Sequence, residues 1–183
     1  AAGLDAESVF ANRDYEPQAH ARDRAVQDAL RAAGRSLQTF KDQVMFEQDE
    51  VLTLAGGAYS VFTPYKNAWL KRLAREPEAL RPFETAPHAA ALAPRPADHV
   101  LPTLADLGFV PGATPIAHPG TAGAAELLAQ FERRLARYDH DRDYPALDAT
   151  SHLSIHLRFG TLSVRRLVAM LQARIADGSG GAA

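Results

Sequence analysis

The chain contains no cysteine. That excludes a disulfide scaffold, a thiolate zinc site, an iron–sulfur cluster and a cysteine nucleophile. No uninterrupted apolar run approaches the ~20 residues that a membrane helix needs. The segment from Ala1 to Phe10 has no basic stretch ahead of an apolar core, so no secretory signal is visible. These absences predict a cytoplasmic protein with no membrane partner. Charge of one sign is also scarce. The formal net charge is −2, which excludes a generic polyanion binder. Tryptophan occurs once, as Trp69, and the chain starts on Ala1 where a complete reading frame would start on Met. A piece of something longer is expected.

What is present is globular. The 183 residues are 46% apolar, enough for a buried core and outside the composition of disordered chains. Nine of the twelve prolines fall between Pro77 and Pro119, in a stretch without sustained apolar periodicity. It reads as a linker. A linker of that length inside one domain is unusual, so parts of two domains are expected. The boundaries are 1–75 for an α/β part, 76–118 for the linker and 119–183 for a helical part.

Ser8-Val9-Phe10-Ala11 followed by polar Asn12-Arg13-Asp14 suits a buried strand whose C-terminal end opens to solvent. Pro17 is placed for a first helical turn. Val26, Ala29, Leu30 and Ala33 recur at helical spacing, and Gly34 offers the stop. Ser36 to Lys41 reads as a second strand. Strand, helix and strand in so few residues predict a parallel crossover unit. Two strands alone make no stable sheet, so further strands are expected upstream of Ala1. Thr63-Pro64 reads as an N-cap and first helical position, opening a helix with Tyr65, Trp69 and Leu73 on one face.

The last part reads as all-α. Thr121 is placed to cap a helix with Ala124, Leu128, Phe131, Leu135 and Tyr138 on one stripe. Ser163 is placed to cap another, with Leu162 and Leu167 as a hydrophobic staple and Val164, Leu167, Val168, Leu171 and Ile175 as its buried stripe. Gly178 to Ala183 reads as a frayed end.

Between these helices, Thr150, Ser151 and Ser154 supply three hydroxyls within five residues. Thr150 can cap a short helix with Leu153 and Leu157 facing inward. Its free N–H groups and the hydroxyls form a candidate phosphate site to which Arg142 and Arg158 would add charge. A simple cap is the competing reading. His152 and His156 have metal-pair spacing but no acidic third ligand between them, so metal binding is not expected. Asp139, Asp141, Asp143 and Asp148 read as a solvated loop. His88, His99 and His118 are expected at the surface, Arg165, Arg166 and Arg174 on a solvated helix face, and Trp69 in interdomain packing.

Tyr138, Arg142-Asp143-Tyr144-Pro145, Thr150-Ser151-His152-Leu153-Ser154 and His156-Leu157-Arg158-Phe159-Gly160 together resemble the photolyase/cryptochrome family, most closely the bacterial class I cyclobutane pyrimidine dimer photolyases. Asn12-Arg13-Asp14-Tyr15-Glu16-Pro17, Arg22-Asp23 and Val61-Phe62-Thr63-Pro64-Tyr65-Lys66-Asn67-Ala68-Trp69 match in the same order. The resemblance spans nearly the whole chain apart from the linker. It implies α/β followed by all-α: the C-terminal part of a Rossmann-like antenna domain, a long linker and the first helices of a helical FAD-binding domain. It implies that Tyr138 packs against FAD, that Thr150, Ser151, His152, Leu153 and Ser154 surround its phosphates, and that Arg142 meets the DNA backbone. No catalytic residue is expected within the chain. The family's opening strand, its later flavin-gripping helices and its tryptophan electron chain are absent, and Trp69 cannot replace the last. His152 stands where the family usually has Arg, and Ile155 where many members have Pro. Pterin-binding members carry Asn-Glu where this chain has Gln18-Ala19. That argues against methenyltetrahydrofolate as second chromophore and leaves a deazaflavin, another flavin or none. The implied activity of the intact protein is light-driven repair of pyrimidine dimers in damaged DNA by a monomer. The isolated fragment is expected to be inactive. Alternatives are a signalling cryptochrome on the same scaffold and a non-flavin nucleotide-binding module.

Overall fold

The computed structural model describes residues 2–94, 100–110, 112 and 118–178. β1 (Ser8–Asn12) runs parallel to β2 (Ser36–Phe40), with Ser8 opposite Ser36 and Asn12 opposite Phe40. Between them, α1 (Pro17–Ala32) begins on proline, whose missing N–H has no partner to lose there. After it, Gly34 takes φ +68°, a left-handed conformation that side chains resist, and the chain reverses into β2. The predicted parallel crossover is therefore present. The first strand is not buried, however. Phe10 and Phe40 are 64% and 49% exposed and stack only on each other, with ring centroids 6.0 Å apart. One helix and one neighbouring strand leave a sheet face open, and Ala19 is the one residue of α1 that becomes buried.

α2 (Phe62–Arg75) opens ahead of Pro64, so Thr63 lies inside the helix and does not cap it. Extended Val61 takes the cap position. Pro64 sits in the first turn, where its missing N–H would have had no intrahelical partner. Leu73 joins Met45, Phe46 and Val51 in a first core, and Trp69 packs edge-on to Phe46 at 5.5 Å. Val164 and Val168 of the last helix pack on this same core.

The proline-rich stretch opens with a 3-10 turn at Pro77–Leu80, whose Ala79 and Leu80 cover the first core. A second turn, Ala86–Ala91, buries nothing. Farther on, Val100, Leu101, Leu104, Leu107, Phe109 and Val110 are all more than half exposed. His88 is exposed as expected. His118 is not free: its Nδ1 lies 2.7 Å from Glu126. His99 and residues 179–183 lie outside the described residues.

α3 (Gly120–Arg134) starts one residue before Thr121, with extended Pro119 in the cap position. Its approach to the preceding segment demands glycine at 123. A Cβ there would lie 1.9 Å from the His118 carbonyl oxygen. The stripe predicted from Ala124 to Tyr138 is interrupted by a 3-10 turn at Leu135–Arg137, after which come α4 (Tyr138–Asp141), α5 (Ser154–Arg158) and α6 (Val164–Ala176). Ala124, Leu127, Leu128, Leu153 and Leu162 form the second core. Leu167 packs against it beside Leu162, as the predicted staple requires. Ser163 takes the cap position of α6, although its hydroxyl makes no capping bond.

α6 also corrects two expectations. Ile175 is 58% exposed, while Arg165, expected on the solvated face, is 5% exposed. The helix lies between both cores: Val164 and Val168 touch the first, Leu167 and Met170 the second. Arg165 enters that junction, pairs with Asp42 at 3.0 Å and lies 5.2 Å over the Phe83 ring. Arg174 also has a partner, Glu132, while Arg166 is exposed. The fold is thus α/β followed by helices, with α6 packed on both. Among the described residues no helix is long and apolar enough to cross a membrane.

Candidate functional site

Residues 138–160 fold onto the edge of the second core. Tyr138 opens α4, half-buried, with its ring nearly perpendicular to that of Phe131 at 5.2 Å. One turn later the N–H of Arg142 donates to the Tyr138 carbonyl, and the Arg142 guanidinium lies 5.6 Å over the Tyr138 ring. Asp141 is held below the usual carboxylate range, first by its hydrogen bond with His140 and then by Arg137. The 139–143 acids therefore do not form a bare anionic loop.

The next turn carries the hydroxyls. Leu153 is 1% exposed and pins the segment to the core. Around that pin, Thr150, His152 and Ser154 stay exposed and Ser151 is half-buried. Ser151 Oγ accepts from the Leu153 N–H at 3.4 Å. Thr150 Oγ1 lies 3.5 Å from His152 Nε2, and that nitrogen lies 2.6 Å from Asp148. His152 has φ 53°, a left-handed backbone rare for a side-chain-bearing residue. Asp148 is held below the usual range by His152 first and Arg134 second. The Ser154 hydroxyl has no hydrogen-bond partner among the described residues. Thr150 does not cap the short helix. α5 begins at Ser154, with Leu153 in the cap position. Leu153 and the half-buried Leu157 do face the core, as predicted.

These donors fit a phosphate group: two hydroxyls and an imidazole at the surface, the Ser154 hydroxyl open to solvent, beside an apolar anchor. Among the described residues, no hydrogen bond or ring contact joins Tyr138 and Arg142 directly to Thr150–Ser154. Arg134, four residues before Tyr138, pairs with Asp148 at 2.9 Å. His156 is 3% exposed and bonds Thr161 at 2.8 Å, so the two histidines do not converge. Among the described residues no group of three or more His, Cys, Asp or Glu could hold a metal.

A second place was less legible. A cleft of about 390 Å³ opens between the β-strand ends and the α5–α6 turn, lined by Asn12, Arg13, Asp14, Gln43, Arg158 and Phe159 among others. Arg158 spans it, 3.0 Å from Asp14 and 3.7 Å from Glu16. Its guanidinium holds the Asp14 carboxyl below the usual range. The floor is fixed by Glu47, which accepts from Arg13 at 2.5 Å and from the Tyr15 hydroxyl at 2.8 Å. Burial first, and then that bond, pushes the Tyr15 hydroxyl up to about 12. The carboxyl ends of parallel strands are where open α/β sheets bind ligands. The polar run after the first strand was the available signal. Its partner, Arg158, lies 144 residues away in sequence, beyond any local pattern.

Similarity to known proteins follows the same residues. A sequence model described as DNA photolyase matches residues 1–87. The deoxyribodipyrimidine photo-lyase of Halobacterium salinarum is 38% identical over 180 residues, 95% of this chain and 36% of that protein. The Escherichia coli deoxyribodipyrimidine photo-lyase is 32% identical over 177 residues, 94% of this chain and 36% of that protein. A crystal structure of a bacterial class III photolyase from Agrobacterium tumefaciens superposes with a TM-score of 0.70 at 28% identity, covering 96% of this chain and 36% of the other. The chain thus spans about a third of the length of these relatives. With the family's motifs in order and its fold retained on both sides of the proline-rich stretch, the chain belongs to the DNA photolyase family.

Proposed function

We propose that the chain is a segment of a light-driven DNA-repair enzyme acting on cyclobutane pyrimidine dimers. Residues 1–75 then belong to an antenna domain, 76–118 to the interdomain linker and 119–183 to the first helices of an FAD-binding domain. Tyr138 packs against FAD, and Thr150, Ser151, His152, Leu153 and Ser154 form the segment around its phosphates. Arg142 meets the DNA backbone. The chemistry that FAD supplies when bound is light-driven electron transfer to the dimer. The chain's own residues hold and orient: Leu153 fixes the segment, the hydroxyls and His152 donate hydrogen bonds, and Arg142 supplies a fixed positive charge.

The observation that carries this reading is the pairing of a core-buried Leu153 with an adjacent, exposed Ser154 hydroxyl that no described residue bonds. For a second chromophore, the cleft at the strand ends is the proposed place. Ala19, buried in α1 where pterin-binding members carry Glu, offers no carboxylate, which argues against methenyltetrahydrofolate and leaves a deazaflavin, another flavin or none.

The test uses the full-length protein. Ser154→Ala removes one hydrogen bond to a charged group and is expected to weaken FAD retention about tenfold, read by flavin release on dilution. Arg142→Ala is expected to leave FAD bound while weakening binding of dimer-containing duplex, read by titration at low salt. Loss of flavin from Arg142→Ala with retention by Ser154→Ala overturns the assignment.

A further inference from the structure

We propose that Tyr138 is a positioning residue for Arg142: its ring is the platform that keeps the Arg142 guanidinium off Asp143 and available to a DNA phosphate. The inference rests on the DNA-binding role proposed above for Arg142 and adds a second residue to that contact.

An arginine flanked by acids is ordinarily consumed by them. Arg142 follows Asp141 and precedes Asp143, both within reach of a long flexible side chain. Neither takes it. Asp141 is engaged by Arg137 at 3.2 Å and by His140 at 2.9 Å. Asp143 is 75% exposed at its side chain and approaches Arg142 no closer than 3.8 Å, through Nε. The guanidinium instead lies over Tyr138, at the i, i+4 spacing that brings helical neighbours together.

The platform is itself held. Phe131, 5% exposed, sets the Tyr138 ring edge-on at 5.2 Å and so ties its orientation to the packed end of α3. A guanidinium over an aromatic face keeps its N–H edge free to donate to planar or tetrahedral oxygen acceptors, because the ring uses the cation's face. An Asp143 ion pair would occupy those same N–H groups. Stacking therefore leaves Arg142 half-exposed, cationic and pre-oriented, whereas an ion pair would neutralise it. Arg142 remains 54% exposed at its side chain, as a backbone contact requires.

Geometry is tested on the chain itself. Proton–nitrogen correlation spectra should show the Arg142 Nε–H displaced by the Tyr138 ring current. The displacement should vanish in Tyr138→Leu and persist in Tyr138→Phe. Unchanged Arg142 resonances in Tyr138→Leu overturn the proposal.

Function is tested on the full-length protein at saturating FAD, with a dimer-containing duplex. Tyr138→Leu is expected to weaken DNA binding about threefold and to lower the slope of log affinity against log salt by close to one unit, the loss of one phosphate contact. Tyr138→Phe, which keeps the ring under Arg142, should keep the parent's salt slope. In the Arg142→Gln background, Tyr138→Leu should have no further effect, and Asp143→Asn should restore part of what Tyr138→Leu loses. Additive effects of Tyr138→Leu and Arg142→Gln, or an unchanged salt slope in Tyr138→Leu, overturn the positioning role. An Arg142→Gln protein that binds DNA like the parent instead defeats the underlying role of Arg142, and the two failures are told apart by that single variant.

Discussion

The strand–helix–strand unit and the helical unit are built from similar residues but hold themselves together differently. β1, α1 and β2 leave Phe10, Val26 and Phe40 exposed, and α1 buries one alanine. α3 alone buries Gly123, Ala124, Leu127, Leu128 and Phe131, and the turns after it add Leu135, Ala149, Leu153 and Leu162. A parallel sheet is hydrophobic on both faces and needs cover on both. A helix needs one stripe covered, and a few neighbouring helices suffice. The same truncation of surroundings therefore weakens a sheet far more than a helical cluster. Apolar exposure of the isolated chain concentrates in the α/β unit and in residues 100–110, which is where association between copies should begin.

That contrast can be broken most directly in the cores. Leu153→Ala opens a cavity at the best-buried point of the helical unit and is expected to cost about 2–5 kcal/mol. Phe10→Ala in the sheet is expected to stay within about 0.5 kcal/mol, because the ring already meets water. Denaturant titration followed by hydrogen exchange in α3 and in β1 measures both, and equal losses would remove the distinction. A smaller effect is expected at the junction. Arg165→Met deletes a charged hydrogen bond to Asp42 and the contact with Phe83, worth about 1.5–3 kcal/mol. Its signature is faster exchange around residues 42–46 with α3 unchanged.

Two glycines sharpen the comparison further. Gly123→Ala drives a Cβ into the His118 carbonyl and should cost about 1–3 kcal/mol by overpacking. Gly34→Ala meets no atom within 4 Å, so it costs only left-handed strain, about 1–2 kcal/mol. Thermal melts of the two variants should rank them in that order. The smallest effect is electrostatic. Asp14 is depressed first by Arg158, and Glu47 first by Arg13. Groups depressed in the folded state stabilise it above their unfolded pKa, and that contribution is lost as pH falls through the folded value. The cleft should loosen below about pH 4 while the apolar second core does not. Exchange at residues 13–16 and 156–160, corrected for intrinsic rates, should rise there ahead of exchange at 124–131.

Much of the fold was legible because its signals are local. Proline at 17, glycine at 34 and the short apolar run in residues 8–11 are each read within one element, and the crossover unit follows. Helix starts were less legible. Thr63 and Thr121 look like caps, yet Val61 and Pro119 occupy those positions, since extended backbone and not a hydroxyl defines the cap here. The buried side of α6 was illegible for a different reason. A helix that serves two cores spreads its contacts around its circumference, so an arginine can be interior while Ile175 is not. At the candidate site, residue types announced Thr150, Ser151 and Ser154. Asp148 holding His152, and Tyr138 carrying Arg142, have i, i+4 spacing, but which of the neighbouring acids and rings each side chain takes depends on geometry that spacing alone does not encode.

The bond between Arg165 and Asp42 spans 123 residues of chain, which sets an order of events during synthesis. At about 5–20 residues per second, Asp42 waits roughly 6–25 s before its partner is even polymerised. Val164 and Val168 are equally late additions to the core around Met45 and Phe46. Throughout that interval the first core is covered by Ala79 and Leu80 but lacks Val164 and Val168. Closing so long a loop is entropically steep but grows only slowly with further length. The core around Met45 and Phe46 is therefore completed long after those residues are made, and its last cover arrives only with α6.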